Sequence, residues 1–194
     1  MARTYAFGSC VPVIDPAAYV HPTAVLIGDV IIGPDTYVGP NASLRGDFGR
    51  IVMARGANLQ DNCVVHSHWA FDCVLEENSH VGHGAVIHAC HLGRDVLVGM
   101  NAVVMDEAHV GDEAIVAAMA LVPMRQKIPA RSLVAGIPAK VVRQVDDAML
   151  AEKRRGTELY QELARRCRGE LREVAALNEV EADRPRYDWG GFRY

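Results

Sequence analysis

The chain has 194 residues, half of them hydrophobic but only 6% aromatic, with 24 acidic against 20 basic side chains and a net charge of −4. This balance excludes a disordered chain, which lacks the apolar content to build a core, and a basic nucleic-acid binder. No run of about 20 apolar residues occurs, so no membrane span is expected.

The first residues, Met1-Ala2-Arg3-Thr4-Tyr5, lack the apolar stretch of a secretory signal. The cysteines Cys10, Cys63, Cys73, Cys90 and Cys167 are odd in number, and none are spaced C-x-x-C. Both features point to a reducing, cytoplasmic compartment, not to a disulfide framework.

From Val20 a six-residue period sets in. It runs through Val20, Leu26, Ile32, Val38 and Leu44, then in shifted phase through Met53, Leu59 and Val65. A third run carries Leu75, Val81 and Ile87, and a fourth is unbroken: Leu92, Val98, Val104, Val110, Val116, Val122, Ile128, Val134. Small residues recur before the aliphatic one, as at Ala102, Ala108, Ala114, Ala120 and Ser132. A period of six fits neither a strand nor a helix alone. It fits a chain that runs straight, bends and runs straight again, three units to a triangular coil, which is a parallel β-helix. Nineteen aliphatic positions, three to a coil, predict about six coils and a prism roughly 30 Å long. A thin aliphatic prism has no room for rings, which explains the shortage of aromatics.

Two steps break the phase. Leu44 to Met53 is nine residues and Val65 to Leu75 is ten. The second break holds Ser67-His68-Trp69-Ala70-Phe71-Asp72, and an insertion in a solenoid maps to a loop that often serves function. Trp69 and Phe71 are therefore candidates for a substrate wall.

Three of the eight histidines form a pattern. His66 follows Val65 and His88 follows Ile87, and three units separate them, one full coil. They should stack on one face about 4.8 Å apart, close enough to share an ion at 2.0–2.1 Å. His83 lies one face earlier and could meet the pair of a neighbouring prism, so a closed ring of three copies would hold three identical sites. Three imidazoles leave an open position, the pattern of catalytic zinc, though Fe(II) or Co would also be accepted. Arg45 and Asp47 can form an ion pair at an interface. In Gln60-Asp61-Asn62, one unit before His66, an amide or carboxylate could orient a metal ligand from behind.

After Val134 the period fades. Residues 10–140 are assigned to the β-helix, 141–180 to a helical segment and 181–194 to an irregular tail. Residues 141–194 hold 11 basic and 11 acidic side chains. Asp146 is expected to cap a first helix and Thr157 a second, with a stripe of Tyr160, Leu163, Cys167, Leu171 and Val174 facing the prism.

Arg45-Gly46-Asp47, Asn58-Leu59-Gln60-Asp61-Asn62, His66, Val81-Gly82-His83 and His88 together resemble the γ-class carbonic anhydrase-like family of hexapeptide-repeat proteins, over most of residues 10–175. Val20 to Val30, Tyr37 to Ile51 and Val98 to Asp106 further resemble its phenylacetate-degradation branch, with a carnitine-operon branch as sibling. The resemblance implies a left-handed β-helix and a homotrimer. It implies zinc held by His66 and His88 of one subunit and His83 of the next, an Arg45–Asp47 interface pair, and Gln60 and Tyr160 lining the site. For that branch it implies hydrolysis of ring-hydroxylated phenylacetyl-CoA, an acyl-CoA thioester. Prototype γ-class anhydrases carry a proton-shuttling Glu in an acidic loop, whereas the segment after His66 has no Glu until Glu76-Glu77. Fast CO2 hydration is thus the alternative activity, and a non-catalytic trimeric scaffold the alternative from another class.

Overall fold

The structure, a computed structural model, describes residues 2–189. It is a left-handed parallel β-helix closed by one C-terminal helix. Each coil crosses three flat faces. Face one stacks the first half of Val25–Ile32, the first half of Ser43–Met53, then Val64–His66, Val86–His88, Val103–Val104 and Leu121–Val122. Face two stacks Val13–Ile14, the second halves of the two long strands, then Cys73–Leu75, His91–Leu92, His109–Val110 and Lys127–Ile128. Face three stacks Tyr19–Val20, Tyr37–Val38, Asn58–Leu59, His80–Val81, Leu97–Val98, Ile115–Val116 and Ser132–Ala135.

The inward positions are those of the six-residue period. Leu92, Val98, Val104, Val110, Val116, Val122, Ile128 and Val134 are all buried, as are the small residues before them. Three residues before each inward aliphatic from Val98 on, the backbone turns through positive φ, at Asp95, Asn101, Glu107, Glu113, Met119, Arg125 and Arg131. This left-handed turn is costly for most side chains. Here the turn amides bond to carbonyls one coil below, as from Asn101 to His83 and from Glu113 to Arg94, so burial leaves few of them unpaired.

Four expectations need correction. There are about seven coils, not six. The extra coil starts at Val13–Ile14, where Ile14, six residues before Val20 and paired with the inward Ile32, carries the same phase one step further back than the run counted from Val20. Residues assigned by charge density to the helical segment begin with a strand, Lys140–Gln144, antiparallel to Ser132–Ala135. Among the described residues there is one helix, Asp147–Glu170, instead of two. Asp146 caps it as expected, accepting from the Met149 amide. Thr157 caps nothing, since it is buried in the helix interior and bonds back to the Lys153 carbonyl. The helix stops at Glu170, which leaves Leu171 and Val174 exposed and outside the stripe.

The helix lies along face three. Tyr160, Leu163 and Ala164 pack with Tyr19 and Tyr37, and Met149 and Leu150 pack with Leu97, Ile115 and Leu133. In the tail, the Arg166 guanidinium sits over Trp189 at 4.7 Å and Tyr187 at 5.7 Å. Phe192 and Tyr194, part of the expected tail, lie outside the described residues. All five cysteines are free. Among the described residues, no helix is long and apolar enough to cross a membrane.

Candidate metal centre

Register brings His66 and His88 together. The two residues are direct partners on face one, and Arg45 is the next partner in the same row. Their rings stand 5.0 Å apart, and His66 Nδ1 lies 3.1 Å from His88 Nε2. Two nitrogens at 2.0–2.1 Å from a tetrahedral ion would be about 3.3 Å apart, so the pair is spaced for one ion.

Carboxylates stand behind both rings. Asp47 Oδ1 is 3.0 Å from His66 Nε2, and its Oδ2 accepts from Arg45 Nη1 at 2.7 Å. Asp106 Oδ1 is 3.0 Å from His88 Nδ1 but out of line for a hydrogen bond, so this buried nitrogen has no hydrogen-bond partner among the described residues. His83 follows the same rule: Asp61 Oδ2 is 2.9 Å from its Nδ1. In each ring one nitrogen has a carboxylate close behind it and the other faces away from it. A carboxylate hydrogen-bonded behind a metal-binding histidine sets its tautomer and raises the basicity of the ligating nitrogen, and Asp47 makes that bond to His66 while Asp106 and Asp61 stand close to their rings. The donor set therefore fits a divalent ion.

Local electrostatics suit neutral ligands. Burial lowers the His66 pKa against the pull of Asp47. Burial alone would raise the Asp47 carboxyl, but hydrogen bonds from Arg45 and His66 outweigh it and hold the group below its ordinary range.

His83 sits at the corner between faces three and one. Among the described residues of a single chain, no three His, Cys, Asp or Glu converge to hold an ion. The corner that carries His83 also exposes Met100 and Met119, linked up the prism by the Asn101-to-His83 and Met119-to-Met100 backbone bonds. Beside the histidine pair, face one turns a row of Val25, Ser43, Val64, Val86, Val103 and Leu121 outward.

The remaining sequence candidates fall in two places. Gln60 and Tyr160 meet over His80: Gln60 Nε2 is 2.7 Å from His80 Nε2, and the Tyr160 ring stands edge-on to His80 at 5.3 Å. Gln60 is also the chain neighbour of Asp61, the partner of His83. Trp69 and Phe71 sit on a tight hairpin closed by paired His68 and Phe71 backbones. There the Phe71 ring stacks on His68 while Trp69 is 77% exposed, so only solvent or a neighbour can cover it.

Sequence reasoning missed three contributors. Asp106 lies in an unbroken repeat, and only the coil-to-coil stack brings it to His88. Phe48 was unmarked, yet its exposed ring stands 5.2 Å from His66 and under Arg45. His80 had no sequence partner because the helix supplies its surroundings.

The chain is similar to known proteins over most of its length. The carnitine operon protein CaiE of Salmonella agona is 53% identical over 182 residues, 94% of this chain and 92% of that protein, and CaiE of Salmonella newport matches over the same span. The chain belongs to the hexapeptide-repeat, γ-carbonic anhydrase-like family that includes CaiE. Among solved structures, a hexapeptide transferase family protein from Anaplasma phagocytophilum superposes with a TM-score of 0.82 at 32% identity, over 87% of this chain and 98% of its own. A Bacillus cereus protein provisionally named an acetyltransferase gives 0.83 at 31%, over 84% and 95%. No family model matches the chain.

Proposed function

We propose that this member of the family is a metal-dependent acyl-CoA thioesterase that works as a homotrimer, each metal being held by His66 and His88 of one copy and His83 of the next. The observation that carries the reading is the donor set: two register-paired imidazoles 3.1 Å apart and a third at a corner, each with a carboxylate behind it. A C3 ring joins one patch of a subunit to a different patch of its neighbour. The two patches here are the aliphatic row beside His66 and the methionine-bearing corner of His83, both uncovered in the single chain.

Zinc suits three imidazoles, and Fe(II) or Co would also be held. A bound ion supplies an acidified water and a Lewis acid toward a thioester oxygen. The chain's own groups do the rest. Asp47 holds the His66 ring by a hydrogen bond, and Asp106 and Asp61 stand close to His88 and His83. Gln60, entering from the same copy as His83, offers its side-chain amide to the reacting water. Tyr160 closes that side over His80. Phe48, Trp69 and Phe71 supply apolar wall for the acyl group, with Arg45 beside Asp47 at the subunit junction.

The resemblance implied a ring-hydroxylated phenylacetyl thioester, whereas the relatives are named for a carnitine operon. The decisive assay therefore measures free thiol released from an arylacetyl-CoA and from a carnitine-derived acyl-CoA, by metal-loaded wild type and by His83→Ala. Release by wild type and its loss in the variant are expected, and equal rates would contradict the metal role. The same ligand set serves CO2 hydration, so stopped-flow CO2 hydration on the same preparation separates the two activities.

A further inference from the structure

Beneath the helix, one coil-face away from the histidine pair, lies a polar cluster that the proposed chemistry does not by itself require. Its centre is His80. It keeps a little accessible surface but is closely surrounded by protein atoms, which, with the Lys153 ammonium nearby, bring its pKa down to about 3. The ring is therefore neutral, and one nitrogen donates while the other accepts. Which is which is decided by the neighbours.

The neighbours form a chain with a readable direction. Thr157 has a single hydroxyl proton, and its Oγ1 lies 3.2 Å from the Lys153 carbonyl, which can only accept. The Thr157 lone pairs then face His80 Nδ1 across a long 3.5 Å contact, so Nδ1 is the protonated nitrogen. His80 Nε2 must accept, and its partner at 2.7 Å is the Gln60 side chain, which must present its NH2 group. The second hydrogen of that NH2 goes to Asn58 Oδ1 at 3.3 Å. Both amide hydrogens are then engaged, and Gln60 Oε1 is the atom turned to the remaining side.

We infer that His80 is a positioning residue: through the Lys153 carbonyl–Thr157–His80–Gln60 chain, the helix fixes the orientation of the Gln60 amide so that it presents an acceptor oxygen, not a donor, to the site. This rests on the proposed role of Gln60 toward the reacting water. It gives the helix a function beyond covering face three. It also accounts for a neutral histidine in a place where an apolar residue would pack with less desolvation. An acceptor can take a proton-bearing water by one of its hydrogens and leave its lone pair toward a carbonyl carbon. An NH2 group in that place would hold the lone pair instead and blunt the attack.

The test separates the chain of bonds from the activity. In 15N-labelled, metal-loaded protein, His80 should show the Nδ1–H tautomer, with a through-bond 15N–15N coupling from the Gln60 side-chain amide to His80 Nε2. Thr157→Val, close in volume, should shift the tautomer balance, abolish the coupling and lower kcat for thiol release roughly tenfold to a hundredfold with KM little changed. Thr157→Ser keeps the hydroxyl and should restore all three readouts. An Nε2–H tautomer in the wild type, or a Thr157→Val protein with unchanged coupling and kcat, would overturn the inference. If the tautomer and coupling are as stated but wild type releases no thiol from any thioester, the bonding chain stands and the thioesterase reading falls.

Discussion

Faces one and three of the prism begin from the same problem and solve it differently. Each turns apolar residues outward from a row of parallel strands. On face three the outward row, with Tyr19, Tyr37, Leu97, Ile115 and Leu133, is covered by the chain's own helix. On face one the row through Val64, Val86, Val103 and Leu121 has no such cover, and Val64 is 43% exposed. The consequence shows in the histidines. His80, on the covered face, is enclosed and held neutral within a hydrogen-bond chain. His66 and His88, on the open face, keep facing nitrogens spaced for an ion. The helix completes one face from within the chain, and the other is left for a second copy to complete.

The largest effect expected is on the open face. His88→Ala should lower bound metal below one ion in ten chains and thiol release at least on the order of a hundredfold, read by elemental analysis and a thiol assay on the same sample. His80→Gln on the covered face should leave metal content intact. Next is assembly. Val64→Glu places an unpaired charge in the proposed junction, which costs several kcal/mol per contact, so sedimentation should find mainly monomers. Lys127→Glu, on face two, should leave the mass unchanged. A trimeric Val64→Glu protein would remove face one from the interface.

The covered face makes a prediction about pH. His80 has a folded pKa of about 3 against an ordinary 6.5. Below pH 6.5 the unfolded chain binds a proton that the folded chain refuses. Stability is therefore full above pH 6.5 and is lost progressively as the pH falls toward 3. Urea unfolding at pH 7.5 and pH 5 should show about 2 kcal/mol more loss in wild type than in His80→Gln. The smallest effect concerns the helix. A Cβ added at Gly156 would meet only His80 Cε1, at an ordinary 3.8 Å. Gly156→Ala should then raise stability by about 0.5–1 kcal/mol, read as a modest rise in Tm.

The contrast between the faces also shows what a sequence can carry. The period of six marks the inward residues, because every coil imposes the same alternation. Counting three units from Val65 to Ile87 is enough to place His66 beside His88, and the register bears this out. Pairings between coils at irregular spacing are not written in any period. Asp106 reaches His88 from the next coil, and the long strand Ser43–Met53 bends round a corner to carry Asp47 to His66. Gly156-Thr157 reads locally as a break and a new cap. It is instead where an unbroken helix passes over His80, and only tertiary contact reveals that. The aromatics were expected outside the prism, and several of the described ones lie there: Tyr19 and Tyr37 under the helix, Phe48, Trp69 and Phe71 around the open side.

The central claim is that one metal is shared between two copies, and subunit complementation tests it most directly. Neither His83→Ala nor the double variant His66→Ala/His88→Ala should have thioesterase activity alone. In trimers assembled from an equal mixture, each mixed ring contains one junction with all three native histidines. Three-quarters of rings are mixed, so about a quarter of wild-type activity and metal should return. If the mixture remains as inactive and metal-free as its components, the site is not built between chains and the account fails.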